Sequence, residues 1–129
     1  MKYVVIAWAI LITIAIIILL RMPLGIEPLT ELYFENHNNL PKQLSLGQKA
    51  GFWFTIHNLE YRKMRYSYKV SYSFNNKTLL LKKGTVTVNN NQSLSIPVTF
   101  SINEPFTRAE VDVILIDKDN SIHFWVDEK

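Results

Sequence analysis

No cysteine occurs among the 129 residues, so disulfides and thiolate metal sites are excluded. That absence leaves the compartment open, because extracytoplasmic proteins also do without cysteine. Also missing are a glycine-rich phosphate loop, a nucleophile elbow and a paired-acid motif. No catalytic, cofactor-binding or metal-ligating set is legible, and an enzyme is not expected. Charge of one sign is scarce: 14 basic residues face 11 acidic ones, for a net +3. The tightest basic groups, Arg62-Lys63 with Arg65 and Lys82-Lys83, are short. Nucleic-acid binders concentrate charge on one face or helix, so nucleic acid is not an expected partner.

Charge, proline and glycine are all absent from Tyr3 to Leu20, between Lys2 and Arg21. As a helix, a run of that length spans about 27 Å, enough for a thin or locally adapted bilayer. Thr13 is its one strongly polar side chain, and a hydroxyl there can bond back to the helix. The run exceeds the usual core of a secretory signal, and no small-x-small cleavage site follows it. Residues 1–22 are therefore expected to be a transmembrane anchor. Residues 23–28, with Pro23, Gly25 and Pro28, form a short, stiff connector that a helix cannot cross. Lys2 and Arg21 flank both ends, so the positive-inside rule favours a cytoplasmic N-terminus only weakly. An anchor this near the start, with a β domain behind it, places residues 29–129 outside the cell.

From Leu29 onward the pattern has period two. Leu94, Ile96, Val98, Phe100 and Ile102 alternate with Ser95, Pro97, Thr99 and Ser101, giving one buried and one wet face. Pro97 marks an edge strand or a bulge. Tyr66, Tyr68, Val70, Tyr72 and Phe74 repeat the alternation, as do Phe52, Phe54 and Ile56, and Val111, Val113 and Leu115. Thr85–Val88 and Ile122–Val126 complete the set. Asn75-Asn76 divides the tyrosine strand from Lys77–Lys82 and predicts a hairpin. No later segment sustains a helical period. About seven short strands in some 100 residues predict an all-β, immunoglobulin-like antiparallel β-sandwich, without the cysteine pair of antibody domains.

The strand order also carries specific words. Leu29-Thr30-Glu31-Leu32-Tyr33-Phe34 opens the domain, and Leu44-Ser45-Leu46-Gly47-Gln48 precedes a strand ending Ile56-His57-Asn58-Leu59-Glu60. Phe124-Trp125-Val126 lies near the end. Over about Pro28 to Asp127 this order resembles the extracytoplasmic part of the archaeal membrane-protein family called domain of unknown function 1616. Glu35-Asn36 replaces a glycine expected after the opening strand, and Gln48 stands where an acid is usual. That family often has several membrane helices ahead of the domain, where this chain has one. The resemblance implies an archaeal, surface-facing sandwich and transfers no catalytic residue.

Several residues bear on partners. Asn76-Lys77-Thr78 and Asn91-Gln92-Ser93 are N-glycosylation sequons and agree with an outside placement. Trp53 and Trp125 each lie opposite an apolar face, so they are expected to be exposed and able to stack on a sugar or anchor a protein. Tyr61, Tyr66, Tyr68 and Tyr72 are read as core or loop residues. Glu27, Glu31 and Glu35, spaced by four, would share a face on a helix, but an extended segment makes them solvated charges. His37, His57 and His123 are far apart, and nothing local brings them together. The reading is a non-catalytic, membrane-anchored interaction module without cofactor, with the bilayer and an envelope protein as partners. A pilin-like filament subunit and a carbohydrate-binding module are the alternatives. Only Met1 and Lys2 precede the apolar run, with no basic peptidase site, which weighs against the pilin.

Overall fold

A computed structural model describes residues 1–21 and 27–129. The expected helix end at Met22 and the connector residues Pro23 and Gly25 lie outside the described residues. Helix α1 spans Lys2–Arg21 and buries none of its residues. Among the described residues it is the one helix long and apolar enough to cross a membrane. The Thr13 hydroxyl donates to the Ala9 carbonyl at 2.8 Å, so the one hydroxyl in the middle of the helix is satisfied by the helix itself.

Among the described residues eight strands follow: β1 Leu29–Phe34, β2 Gln43–Leu44, β3 Ala50–Leu59, β4 Met64–Phe74, β5 Lys77–Val88, β6 Ser93–Phe100, β7 Arg108–Leu115 and β8 Asn120–Glu128. They form a three-stranded sheet, β1-β3-β6, and a five-stranded sheet, β2-β8-β7-β4-β5. Every pairing is antiparallel except the two-residue β2, which runs parallel to the end of β8. Strand β6 is an edge, which accommodates Pro97 and its missing N–H.

The alternation seen in the sequence is the core. Phe52, Phe54 and Ile56 of β3 face inward with Ile96, Val98 and Phe100 of β6. Across from them lie Tyr66, Tyr68, Val70 and Tyr72 of β4, Val111, Val113 and Leu115 of β7, and Phe124 and Val126 of β8. Phe34, Phe52 and Phe124 meet edge to face at 5.1 to 5.6 Å, joining the two sheets. Such pairs add to the burial of their area because ring edges carry the opposite partial charge to ring faces.

Lys77–Lys82 and Thr85–Val88 belong to one continuous strand. Lys82-Lys83-Gly84 resembles a turn in sequence, yet Gly84 pairs with Tyr68 in mid-strand. A Cβ on Gly84 would lie 2.7 Å from the Tyr68 hydroxyl and 2.9 Å from its ring. The glycine makes room for a buried tyrosine instead of bending the chain. A register shift between Val70 and Ser71 leaves an extra residue on β5, a bulge that adds local twist.

The register also defines two poles. The start of β1, the 60–63 loop, the 89–92 turn and the 116–119 turn share one pole. The 75–76 turn, β2 and the end of β8 share the other.

Candidate functional site

The outer face of the three-stranded sheet is built from residues that alternate with the core. Cross-strand register sets Tyr33 beside Thr55 and Thr55 beside Ser95, with Glu31 beside His57 and His57 beside Ser93. Trp53 lies beside Pro97, and the Glu35 amide donates to the Trp53 carbonyl at 2.9 Å. Trp53 is 52% exposed and Tyr33 40%. Between them runs a polar seam. The Glu35 carboxylate accepts from the Thr55 hydroxyl and from Ser95 at 3.3 Å, and Thr55 and Ser95 are 2.8 Å apart. Thr55 is buried although it faces outward. Glu31 and the His57 Nδ1 lie 3.1 Å apart. The face is thus aromatic at Trp53 and Tyr33, with oriented carboxylates and hydroxyls between.

Trp125, 45% exposed, lies on the other outer face, that of the five-stranded sheet. The Arg108 guanidinium packs 4.7 Å from its ring centre, and Arg108 also pairs with Asp127 at 3.5 Å. Trp53 and Trp125 are both outward, as the alternation predicts, but on opposite faces of the molecule. One ligand does not bridge them. Beside Trp125, the ligand atoms of Glu110, Asp112 and His123 all lie within 4.8 Å of one another. Burial pushes the Asp112 carboxyl up to about 6; the hydrogen bond and negative charge of Glu110 add to this, and His123 opposes it.

Of the other expected residues, Glu31 and His57 are paired, and His37 and His123 line one open groove beside Tyr33. Glu27 is exposed outside any strand. Glu31 is on extended β1, as read, whereas Glu35 lies in the turn just after it; each has side-chain partners and is not a free solvated charge. His37 is in a short 3-10 turn, and His57 and His123 occupy opposite faces. Tyr66, Tyr68 and Tyr72 fill the core, whereas Tyr61 is exposed in the 60–63 loop. Both sequon asparagines are exposed in tight turns with positive φ, 61° at Asn76 and 59° at Asn91. Asparagine tolerates that conformation better than most residues, so the backbone alone accounts for it at both positions.

Two groupings were not read from the sequence. One is the polar cluster at the β1 pole. The Thr30 hydroxyl donates to Glu60 at 2.9 Å and lies 2.8 Å from the Tyr66 hydroxyl, and Lys118 reaches Glu60 at 2.9 Å. The other is Glu110–Asp112–His123. Its signal was available: Glu110 and Asp112 alternate on the wet side of β7, and a hairpin closing at 116–119 sets His123 opposite Asp112.

By sequence, the chain matches no family model and no curated protein. By structure, a β-glucosidase from Listeria innocua in complex with glucose is similar, with a TM-score of 0.64 at 18% identity over 78% of this chain. The CARDB domain of a Pyrococcus furiosus protein, a solution structure, matches with a TM-score of 0.59 at 14% identity over 81% of this chain and 97% of that one. The chain is an immunoglobulin-like β-sandwich. A crystal structure of that CARDB domain in complex with di-metal ions gives a TM-score of 0.57 at 14% identity. The alignment thus runs along almost all of that CARDB domain, whereas this chain spans only 16% of the glucosidase. Identities this low carry the fold, and the glucosidase's activity is not transferred.

Proposed function

We propose that this chain is a non-catalytic interaction module, held at a membrane by α1 with its sandwich outside the cell. There it serves as an accessory subunit or binding domain for another envelope protein. The observation that carries the reading is the pairing of a fully exposed apolar helix with a sandwich that has its own closed core. Such a helix is stable in hydrocarbon, where its backbone bonds are internal and its side chains match the lipid. Whole-domain likeness to a CARDB domain supports a binding module. The order of short words shared with the archaeal family supports the envelope setting.

The three-stranded sheet supplies the binding face. Trp53 and Tyr33 offer large, stiff contact area, and the Glu35–Thr55–Ser95 seam offers fixed polar partners. The same face favours a second reading, a carbohydrate-binding module, because exposed rings flanked by carboxylates and hydroxyls match the faces and edges of sugars.

The test is capture of the full chain from source membranes in mild detergent, beside a Trp53→Ala variant. A stoichiometric larger membrane protein, retained by the wild type and lost from the variant, supports the accessory-subunit reading. Recovery as a monomer overturns it and turns attention to glycan arrays. Recovery as a homopolymer favours the filament alternative.

A further inference from the structure

We propose that Glu110, Asp112 and His123 form a binding site for one divalent transition-metal ion on the outer face of the five-stranded sheet. The inference is independent of the interaction-module reading, because it uses neither the helix nor Trp53.

Strand geometry brings the three donors together. Glu110 and Asp112 are two residues apart on β7 and so point to the same face. His123 is the cross-strand partner of Asp112, and Trp125 is the partner of Glu110. The donor atoms converge to within 4.8 Å of one another, a spread that small side-chain rotations close onto one ion. Both carboxylates are half-buried, and the imidazole is exposed. The Trp125 ring stands edge-on to His123, 80° between planes and 6.2 Å between centres, and restrains it from one side.

Charge supplies a second argument. The ion pairs among the described residues join Lys77 to Glu104, Arg108 to Asp127, Lys118 to Glu60 and His57 to Glu31. Neither Glu110 nor Asp112 takes part in one. Arg108, the nearest cation toward the strand end, is committed to Asp127 and to the Trp125 ring. Lys69 is a diagonal neighbour of Asp112 across β4 but forms no ion pair with it. Two carboxylates are therefore packed side by side without a Lys or Arg in ion-pair contact, and a dication neutralises both at once.

The donor set selects the class of ion. Two carboxylate oxygens and one imidazole nitrogen suit zinc, cobalt or manganese. The imidazole weighs against calcium and magnesium, which prefer oxygen alone. Three ligands rising from one sheet face leave the outward coordination positions open to water or to a donor from a bound partner.

The full chain in detergent, stripped with a chelator and held at pH 7.5, is titrated with zinc by calorimetry and with cobalt by visible absorption. One equivalent is expected to bind, with cobalt bands showing nitrogen–oxygen ligation. His123→Ala changes an exposed residue and keeps the fold, and it should weaken binding at least about tenfold, as should Asp112→Asn. His57→Ala, on the opposite face, should bind like the wild type. Circular dichroism confirms that each variant is folded. No saturable uptake, or uptake by His123→Ala equal to the wild type, overturns the proposal. So does loss of uptake in His57→Ala, which would locate the ion on the other face.

Discussion

Asn58 shows how much one buried amide does here. It is fully buried at the end of β3. Its Nδ2 donates to the carbonyls of Arg62 at 2.7 Å and Val88 at 2.8 Å, and its Oδ1 accepts from the Glu60 amide at 2.9 Å. One side chain thus closes the 60–63 loop and ties it to the end of β5. Asn58→Ala orphans two carbonyls and an amide, and should cost about 3 kcal/mol, read as a lower denaturant midpoint with an unchanged slope. Glu60, beside it, is governed by charge. The Lys118 ammonium hydrogen-bonds its carboxylate and holds the carboxyl below its ordinary value; burial opposes this, and the Thr30 hydroxyl assists. A carboxyl lowered on folding contributes stability above its unfolded value, lost as pH falls through the folded one. Wild type should therefore lose more stability between pH 7 and pH 3 than Glu60→Gln, measured by urea unfolding at both. At this scale the sequence was half legible. Alternation against a core is a local pattern, so it placed Trp53 and Trp125 outside. The roles of Asn58 and Glu60 were not legible at the end of their strand, because the partners that tie them into the fold, Val88, Thr30 and Lys118, lie 30 residues or more away.

Among the elements, the β4–β5 hairpin is the clearest case of local chemistry fixing structure. Asn75 and Asn76 have φ of 48° and 61°, the paired left-handed residues of a two-residue hairpin turn whose twist matches the strands. Asn75→Ala should cost about 1 kcal/mol, because a Cβ without a polar side chain disfavours that conformation. Asn76→Gly should leave stability within about 0.5 kcal/mol of wild type while removing the sequon. The pair separates the two demands on Asn76, checked by thermal unfolding and by intact mass of the chain from its native membrane. A mass that falls in Asn76→Gly by the side-chain difference alone would show that no glycan is carried there and that the turn alone requires the residue. The hairpin was legible because its signal lies in adjacent residues. The unity of β5 was not, since Gly84 answers to the Tyr68 ring across the sheet. Nor was β2, whose two residues have no period and owe their pairing to the end of β8.

Across the whole molecule, the poles and the tether decide what faces the membrane in the proposed arrangement. Arg21 ends α1 and Leu29 begins β1, so the intervening chain reaches at most about 29 Å when fully extended. Strand β4 has 11 residues and runs about 37 Å from pole to pole. The tether is shorter than the domain, so the pole where β1 begins is held near the bilayer and the Asn75-Asn76 turn points away. The near pole presents Tyr61 and Ile116, 59% and 60% exposed, beside the exposed Arg62 and Lys63. Aromatic and basic side chains of this kind suit the headgroup zone. Asn91 shares that pole and Asn76 the opposite one. Because the chain has no cysteine, a single cysteine introduced at either position carries a fluorophore without background. In nanodiscs containing headgroup-nitroxide lipid, the label at position 91 should be quenched and that at 76 should not. Substituting Arg62 and Lys63 by Glu in anionic discs should reduce quenching at 91, since near-surface basic residues contribute about 1 kcal/mol each to headgroup attraction. Equal quenching at both positions would mean that the sandwich lies flat on the membrane. One of the two outer sheet faces would then be covered by lipid, and the face that stayed accessible would identify which tryptophan meets the partner.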